Sequence, residues 1–429
     1  MLANLTTPLL GVVATACVGR LDNPALLGGV AMASVVFDCV FWLFGFLRMG
    51  TVAFTAQALG AGDATEIRAT LLRALLVAAA IGVILIAAQG LLGAAIFAAM
   101  GGSEPATAAA RTYFAIRMWS APLALGNYAL LGWFIGQARA RTALALQILI
   151  NLTNIVLTIL LVLGLDQGIA GAAIAAVVAE TLGFVAGAIL VWRSFEGQIG
   201  VTRNIVFARD KLMHMVAVNR DIMIRTAALI GAFLFFTAQG ARAGDETLAA
   251  NAVLNNFLLI GSFFLDGLAN AAEQLCGRGT GARDRDGFAQ AVRLVLIWGF
   301  VFGAATTTVF ALFGTPLIEL MTASEAVRTA AQNFLLLAAV APLCGVMAYS
   351  FDGIYIGATW TRDMRTLMIV ALLIYLATWA VLRPFGNTGL WTALLVFLLA
   401  RGLLQAARYP ALLRLSFGDA NAIPATAPR

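Results

Sequence analysis

Five acidic residues lie inside stretches that are otherwise long and apolar: Asp38, Glu180, Asp266, Glu273 and Asp352. On insertion scales an Asp at the centre of a membrane helix costs about 2.5 to 3.5 kcal/mol unless it meets water, a partner or a cation. Desolvation raises the pKa of a buried carboxylate, and a proton or bound cation then removes the isolated charge. The chemistry open to these residues is reversible cation binding. Asp266 and Glu273 are seven positions apart, two turns along nearly one helix face. Asp38 shares the run "SVVFDCVFWLFGFLRMGTVAF" with Arg48. Ten residues span about 15 Å of helix and turn the two onto different faces, so they are not expected to pair. Arg48 is expected to link its helix to a neighbour, with Gly50 allowing a bend. Glu180 and Arg401 read as structural charges, pairing with each other or reaching for the interfaces.

Other chemistries find no support. Of 27 basic residues only Lys211 is a lysine, and "ARDKLMH" around it is unlike a phosphate-cradling loop. Cys17, Cys39, Cys276 and Cys344 are scattered singly through apolar segments, and His214 has no Cys or His at ligand spacing, so no metal site is expected. An intramembrane enzyme would need an Asp-rich or His-containing cluster. With 62% hydrophobic and 11% charged residues in 429, against about 25% charged in soluble domains, the chain must sit in a lipid bilayer. Its net charge of +6 is accounted for by the basic residues that set membrane topology and requires no nucleic acid.

The elements that must position the acids follow from length. About 20 apolar residues cross a bilayer. Twelve such stretches are expected, at 2–19, 26–59, 68–98, 107–136, 142–164, 169–193, 212–238, 247–277, 288–313, 328–358, 365–383 and 389–416. Basic residues cluster on one set of flanks, which places both termini in the cytoplasm. The long polar stretch after the sixth span separates two halves in register. Pro122 of "WSAPLALG" matches Pro342 of "AVAPLCGV", Gly136 and Arg141 match Gly357 and Arg362, and Gly168 and Glu180 match Gly389 and Arg401, at offsets of 220 or 221. The organisation expected is a six-helix lobe at 1–193, a cytoplasmic linker at 194–211, a second six-helix lobe at 212–416 and a disordered cytoplasmic tail at 417–429. Parallel repeats of this kind belong to secondary transporters that rock one half against the other. A channel is disfavoured on the same ground.

Several runs carry a family likeness. "FWLFGFLRMGTVAFTAQALGAGD", "PLLGVVATACVGRL", "NRDIMIRT", "FFTAQGARAGDETLAANAVLNNFLL" and "FDGIYIGATWTRDMR" resemble the DinF-like branch of the multidrug and toxic compound extrusion (MATE) family. The resemblance covers nearly the whole chain in order. It implies an all-α membrane protein of twelve transmembrane helices in two six-helix lobes, exporting amphipathic organic or cationic compounds in exchange for H⁺ or Na⁺, with no other cofactor. It further implies a monomer in a bacterial inner membrane, whose partners are the small-molecule substrate and the lipid. Two departures stand out. The branch usually has Asp in a "VDTA" run where this chain has Ala14, and an Asn-x-x-x-Asp pair where it has Asn154 and Thr158. Neither Ala14 nor Thr158 can change charge, so the family's first-lobe coupling chemistry does not carry over to them.

Coupling is then expected either on Asp38, as a relocated first-lobe acid, or on Asp266, Glu273 and Asp352 in the second. Family-like cavities are lined by aromatic, Met and a few polar side chains, which makes Phe37, Phe41, Trp42, Gln57, Asn127, Asn255 and Asn256 substrate-contact candidates beside Asn154. The alternative is a member of the same superfamily that has lost ion coupling, a facilitator or an exporter of lipid-linked precursors.

Overall fold

A computed structural model describes residues 24–100, 103–195 and 200–418 of the chain. Every regular element among them is helical. The elements are α1 (Pro24–Leu43), α2 (Phe46–Gly60), α3 (Ala64–Met100), α4 (Glu104–Arg117), α5 (Ala121–Gly136), α6 (Ala140–Ile159), α7 (Gly168–Ser194) and α8 (Arg203–Val206). They continue as α9 (Arg209–Arg242), α10 (Asp245–Gly281), α11 (Arg285–Met321), α12 (Glu325–Gly357), α13 (Thr361–Leu382) and α14 (Gly386–Phe417). Nine stretches of the described residues are helices long and apolar enough to cross a membrane.

Two of the expected spans are interrupted. The 26–59 stretch breaks at Phe44 and Gly45, not at Gly50. Gly45 N–H bonds the Trp42 carbonyl at 3.0 Å and Leu47 N–H bonds that of Phe44 at 3.0 Å, both with the tighter three-residue spacing. Gly50 instead lies inside α2, where a β-carbon would collide with the Asn219 side chain. The 107–136 stretch is divided by a 3₁₀ turn at Met118–Ser120, with Pro122 in the first turn of α5, the helical position where its missing N–H costs nothing. Its counterpart Pro342 is inside the unbroken α12.

The 221-residue register of the sequence recurs in the helix ends. α2 and α10 end at Gly60 and Gly281, α3 and α11 begin at Ala64 and Arg285, and α5 and α12 end at Gly136 and Gly357. The left-handed residues Gly62 and Arg283, and Ala138 and Thr359, fall at the same spacing. Ala138, Arg283 and Thr359 hold this conformation, costly for any L residue with a side chain, at corresponding turns.

The chain divides into two compact units, Leu2–Thr55 with Asp63–Asn219, and Ala56–Gly62 with Arg220–Arg429. In the first, α3 packs on α5 and α6 on α7, and Trp133, Phe134, Leu130, Leu146 and Phe195 form a core. In the second, α12 runs between α10, α11 and α14. Trp391, Phe397, Tyr375 and Phe257 fill the centre, and the Phe257 ring meets that of Phe310 at 4.8 Å.

The short α8 is tied down by one buried arginine. Arg73 of α3 donates to the carbonyls of Val206 (3.0 Å) and Ile205 (2.6 Å) and to Glu66 Oε1 (2.7 Å). Removing one partner of a buried, hydrogen-bonded charge costs about 3 to 5 kcal/mol. Arg73→Met is therefore expected to lower stability by about 3 kcal/mol. Lys211, mostly exposed and 3.8 Å from Glu66, should change it by less than about 1 kcal/mol when replaced by Ala. Thermal unfolding of the detergent-solubilised variants checks the contrast.

Candidate functional site

Second-unit acids and bases converge on Asp352, five residues before the C-terminal end of α12. Its Oδ2 accepts from Arg401 Nη2 at 2.6 Å and from Arg225 Nη2, and its Oδ1 accepts from Gln405 Nε2 at 3.0 Å. α9 supplies Arg225, and α14 supplies Arg401 and Gln405 from one face, four residues apart. Asp352, Arg225, Arg401 and Gln405 are all buried. Tyr355 on α12 fixes α14 beside it, its hydroxyl donating to the Gln405 carbonyl at 2.7 Å.

The cluster extends onto α10. Asp266 and Glu273 act electrostatically on Arg225, and Asp266 also acts on Arg401. Tyr349, one turn before Asp352, shares a 2.6 Å hydrogen bond with Ser262 on α10, and the Arg401 guanidinium lies 5.8 Å from its ring centre. α10 and α12 approach closely because small residues meet there: a β-carbon on Gly353 would strike the Ala269 backbone, and one on Gly357 the backbone at Glu273. Three acids and two guanidiniums thus lie within electrostatic reach of one another, all of them buried except Asp266, which is partly buried. Arg225 Nε, Arg401 Nε and Arg401 Nη1 are buried without a hydrogen-bond partner among the described residues. No group of His, Cys, Asp and Glu that could hold a metal ion occurs among the described residues.

The other candidates are distributed as follows. Ala14 and the side chain of Asp38 lie outside the described residues. Phe37 is buried between the rings of Phe41 (5.6 Å), Tyr113 (5.8 Å) and Phe114 (5.4 Å), under the Arg117 guanidinium at 4.8 Å. Trp42 is exposed. Arg48 is partly buried, and its carbonyl lies against Gly132, where a β-carbon would collide with it. Asn154 accepts from the Thr158 hydroxyl at 3.3 Å, as their four-residue spacing requires, and Thr158 is buried. Gln57 donates to the Gly357 carbonyl at 2.8 Å and to the Thr359 hydroxyl at 3.3 Å. Asn256 bonds back to Ala252 in its own helix at 2.9 Å, and Asn255 is partly buried.

Glu180 and Arg401 are each held inside their own unit, Glu180 by Asn127 and Arg401 by Asp352. Arg401 is 2% exposed and so does not reach an interface. Gln405, Tyr349 and Ser262 carry no charge to mark them in an apolar run, and only the four-residue interval between Arg401 and Gln405 pointed to a shared face. A second polar knot also went unseen: Asn251 and Asn387 exchange amide hydrogen bonds at 2.8 and 2.9 Å, and Trp391 Nε1 donates to Asn251 at 2.9 Å.

A helical membrane protein with a twofold repeat and a buried charge cluster is a transporter in architecture. The MatE family model matches residues 1–160 and 222–380. DNA damage-inducible protein F of Escherichia coli (strain K12) is 37% identical over 407 residues, 94% of this chain and 88% of that protein. The probable multidrug resistance protein NorM of Rhizobium meliloti (strain 1021) is 28% identical over 413 residues, 90% of this chain and 86% of that protein. The chain belongs to the MATE family, and it is a transporter, not an enzyme. Among solved structures, MATE in the bent conformation superposes with a TM-score of 0.88 at 19% identity, over 96% of this chain and 94% of that one. A MOP superfamily transporter from Pyrococcus furiosus Vc1 gives 0.87 at 17%, over 96% and 93%. These likenesses establish the fold.

Because Asp352 is the counter-charge of two buried guanidiniums, Asp352→Asn should destabilise the protein by about 3 to 5 kcal/mol. Arg408→Ala, which breaks a partly exposed pair with Asp363 at 2.9 Å, should cost less than about 1 kcal/mol. A double-mutant cycle of Asp352→Asn with Arg401→Met, read by thermal unfolding, should return a coupling of at least about 1 kcal/mol.

Proposed function

We propose that the chain is a cation-coupled exporter of amphipathic organic or cationic compounds, and that the cation, H⁺ or Na⁺, exchanges at the cluster around Asp352, Asp266 and Glu273. The observation that carries this reading is the charge balance of that cluster. Three carboxylates stand against two guanidiniums, Arg225 and Arg401, so the fully ionised group has one excess negative charge. Neighbouring carboxylates resist full ionisation together, and one monovalent cation relieves the repulsion. A cation admitted from one side of the membrane therefore favours a closed, dry arrangement, and its departure favours one that admits water. The spare donors on Arg225 and Arg401 let the guanidiniums turn between carboxylates as the charge on one of them changes.

The wider reading is a monomer with both termini in the cytoplasm of a bacterial inner membrane, built of twelve spans in two lobes, 1–193 and 212–416, joined by a linker at 194–211. Two facts extend the nine apolar helices of the described residues to eleven spans. The apolar stretch Thr361–Phe417 contains two helices, α13 and α14. α4 and α5, together 104–136, add a span broken by its 3₁₀ turn. The remaining span expected from the sequence, 2–19, lies outside the described residues. Alternating access of the two lobes follows from the repeat.

Dye efflux from proteoliposomes under an imposed pH or Na⁺ gradient tests the coupling. Asp266→Asn is expected to reduce gradient-driven export at least tenfold while the protein still inserts and unfolds cooperatively. Loss confined to Asp38→Asn would place coupling in the first repeat, and export by the wild type that ignores both gradients would make the protein an uncoupled exporter.

A further inference from the structure

The first unit contains a polar contact that nothing above uses. Asn127 on α5 is buried, and its Nδ2 donates both to Glu180 Oε2 at 2.8 Å and to the Glu180 carbonyl at 2.9 Å, on α7. Glycines bring the two helices together at this level. A β-carbon on Gly126 would enter the Phe184 ring and one on Gly187 would meet Leu130, while one on Gly183 would strike Ile150 of α6. Side chains seated on glycines in this way let α5 and α7 pack closely enough for an interhelical hydrogen bond. Glu180 itself is only partly buried.

The repeat shows why this contact differs from the one around Asp352. Glu180 and Arg401 are 221 positions apart and occupy corresponding helices, α7 and α14. In the second unit α12 offers a carboxylate and α14 answers with a guanidinium. In the first, α7 carries the carboxylate and α5 answers with a neutral amide. A guanidinium can only donate, so it cannot accept from the O–H of a protonated acid, and its fixed charge favours the ionised form. An amide has donors on nitrogen and an acceptor on oxygen, so it can bond a carboxylate through N–H and, turned over, a carboxylic acid through C=O. Asn127 is a partner for both protonation states of Glu180.

Of the elements packed on α7, α6 carries one charged group, Arg141, and α4 carries Glu104, Arg111, Tyr113 and Arg117. Arg117 on α4 acts electrostatically on Glu180. It also donates to the Tyr113 hydroxyl at 2.8 Å and lies over the Phe37 ring. α5 carries Tyr128, and α1 carries Cys39 and Asp38, whose side chain is not described. Arg139 bonds Ser194 at the other end of α7.

We propose that Glu180, held by Asn127, is a second proton-exchange site, separate from the Asp352 cluster. Proton binding at equilibrium does not require transport, so this site stands or falls independently of the coupling reading. Infrared difference spectra of the purified full-length protein, titrated from acid to alkaline pH, test it through the carboxylic-acid C=O stretch. Glu180→Gln should remove one titrating component that Asp266→Asn leaves in place. Asn127→Ala, which keeps the carboxyl, should raise the frequency of that component and move its midpoint by about one pH unit or more, because one charge-assisted hydrogen bond is lost. A Glu180→Gln spectrum that titrates like the wild type overturns the proposal. So does an Asn127→Ala component with unchanged frequency and midpoint, which decides the matter if Glu180→Gln does not fold. Loss of gradient-driven export in Asp266→Asn with the Glu180 component intact would separate the two sites.

Discussion

The cost of leaving a charge unanswered in a dry interior shapes the second unit around Asp352. Helices α9, α12 and α14 come from distant parts of the chain, and each sends a polar group to the same carboxylate. Hydrophobic packing alone specifies no register for such helices, because the alternatives offered by lipid are as apolar as the core. A guanidinium that must reach one particular oxygen does specify it. The aromatic packing of Trp391, Phe397 and Tyr375 then fills space around helices whose positions along their axes are already set. Small residues on α10 and α12 complete the arrangement by letting the acids of α10 approach within electrostatic range.

The first unit solves the same problem with less charge. Arg73 gathers α3 and α8 through main-chain carbonyls and Glu66. Deeper in, Asn127 and Glu180 join α5 to α7. Amide and carboxylate make a weaker link than two arginines on one acid, and the Phe184 and Leu130 side chains seated on Gly126 and Gly187 add to the register. The two units therefore share helix ends and turn conformations while differing in what pins them.

How far the sequence could be read depended on how local each cause was. Helix ends and the 221-residue repeat were legible because glycines and prolines act within a turn of where they stand, and Gly136 and Gly357 end helices as their spacing implied. The break at Gly45 was missed because Phe44 and Trp42 keep that run apolar, and length counting sees only hydropathy. Asp352, Asp266 and Glu273 were visible as charges out of place. Their partners were half visible: Arg401 was noticed, but its mate was sought at the corresponding position of the other repeat and found on the neighbouring helix of its own. Tyr349, Ser262 and Gln405 could not be found by charge at all, since their roles arise only when α10, α12 and α14 come together.

That last point explains why an internal repeat can mislead about chemistry. Corresponding positions inherit the same helix and the same neighbours, so they inherit the same need for a polar link between the fourth and sixth segments of a repeat. They need not inherit the same side of it. At Arg401 the sixth segment carries the cation and Asp352 on the fourth carries the acid. At Glu180 the acid is on the sixth, and the fourth answers one turn away with an amide, while the position matching Asp352 is Leu131. Either solution holds the helices together. The amide can donate to the ionised carboxyl and accept from the protonated one, so the repeat that lacks acids at Ala14 and Thr158 still contains a carboxyl that can change charge without losing its hydrogen bond.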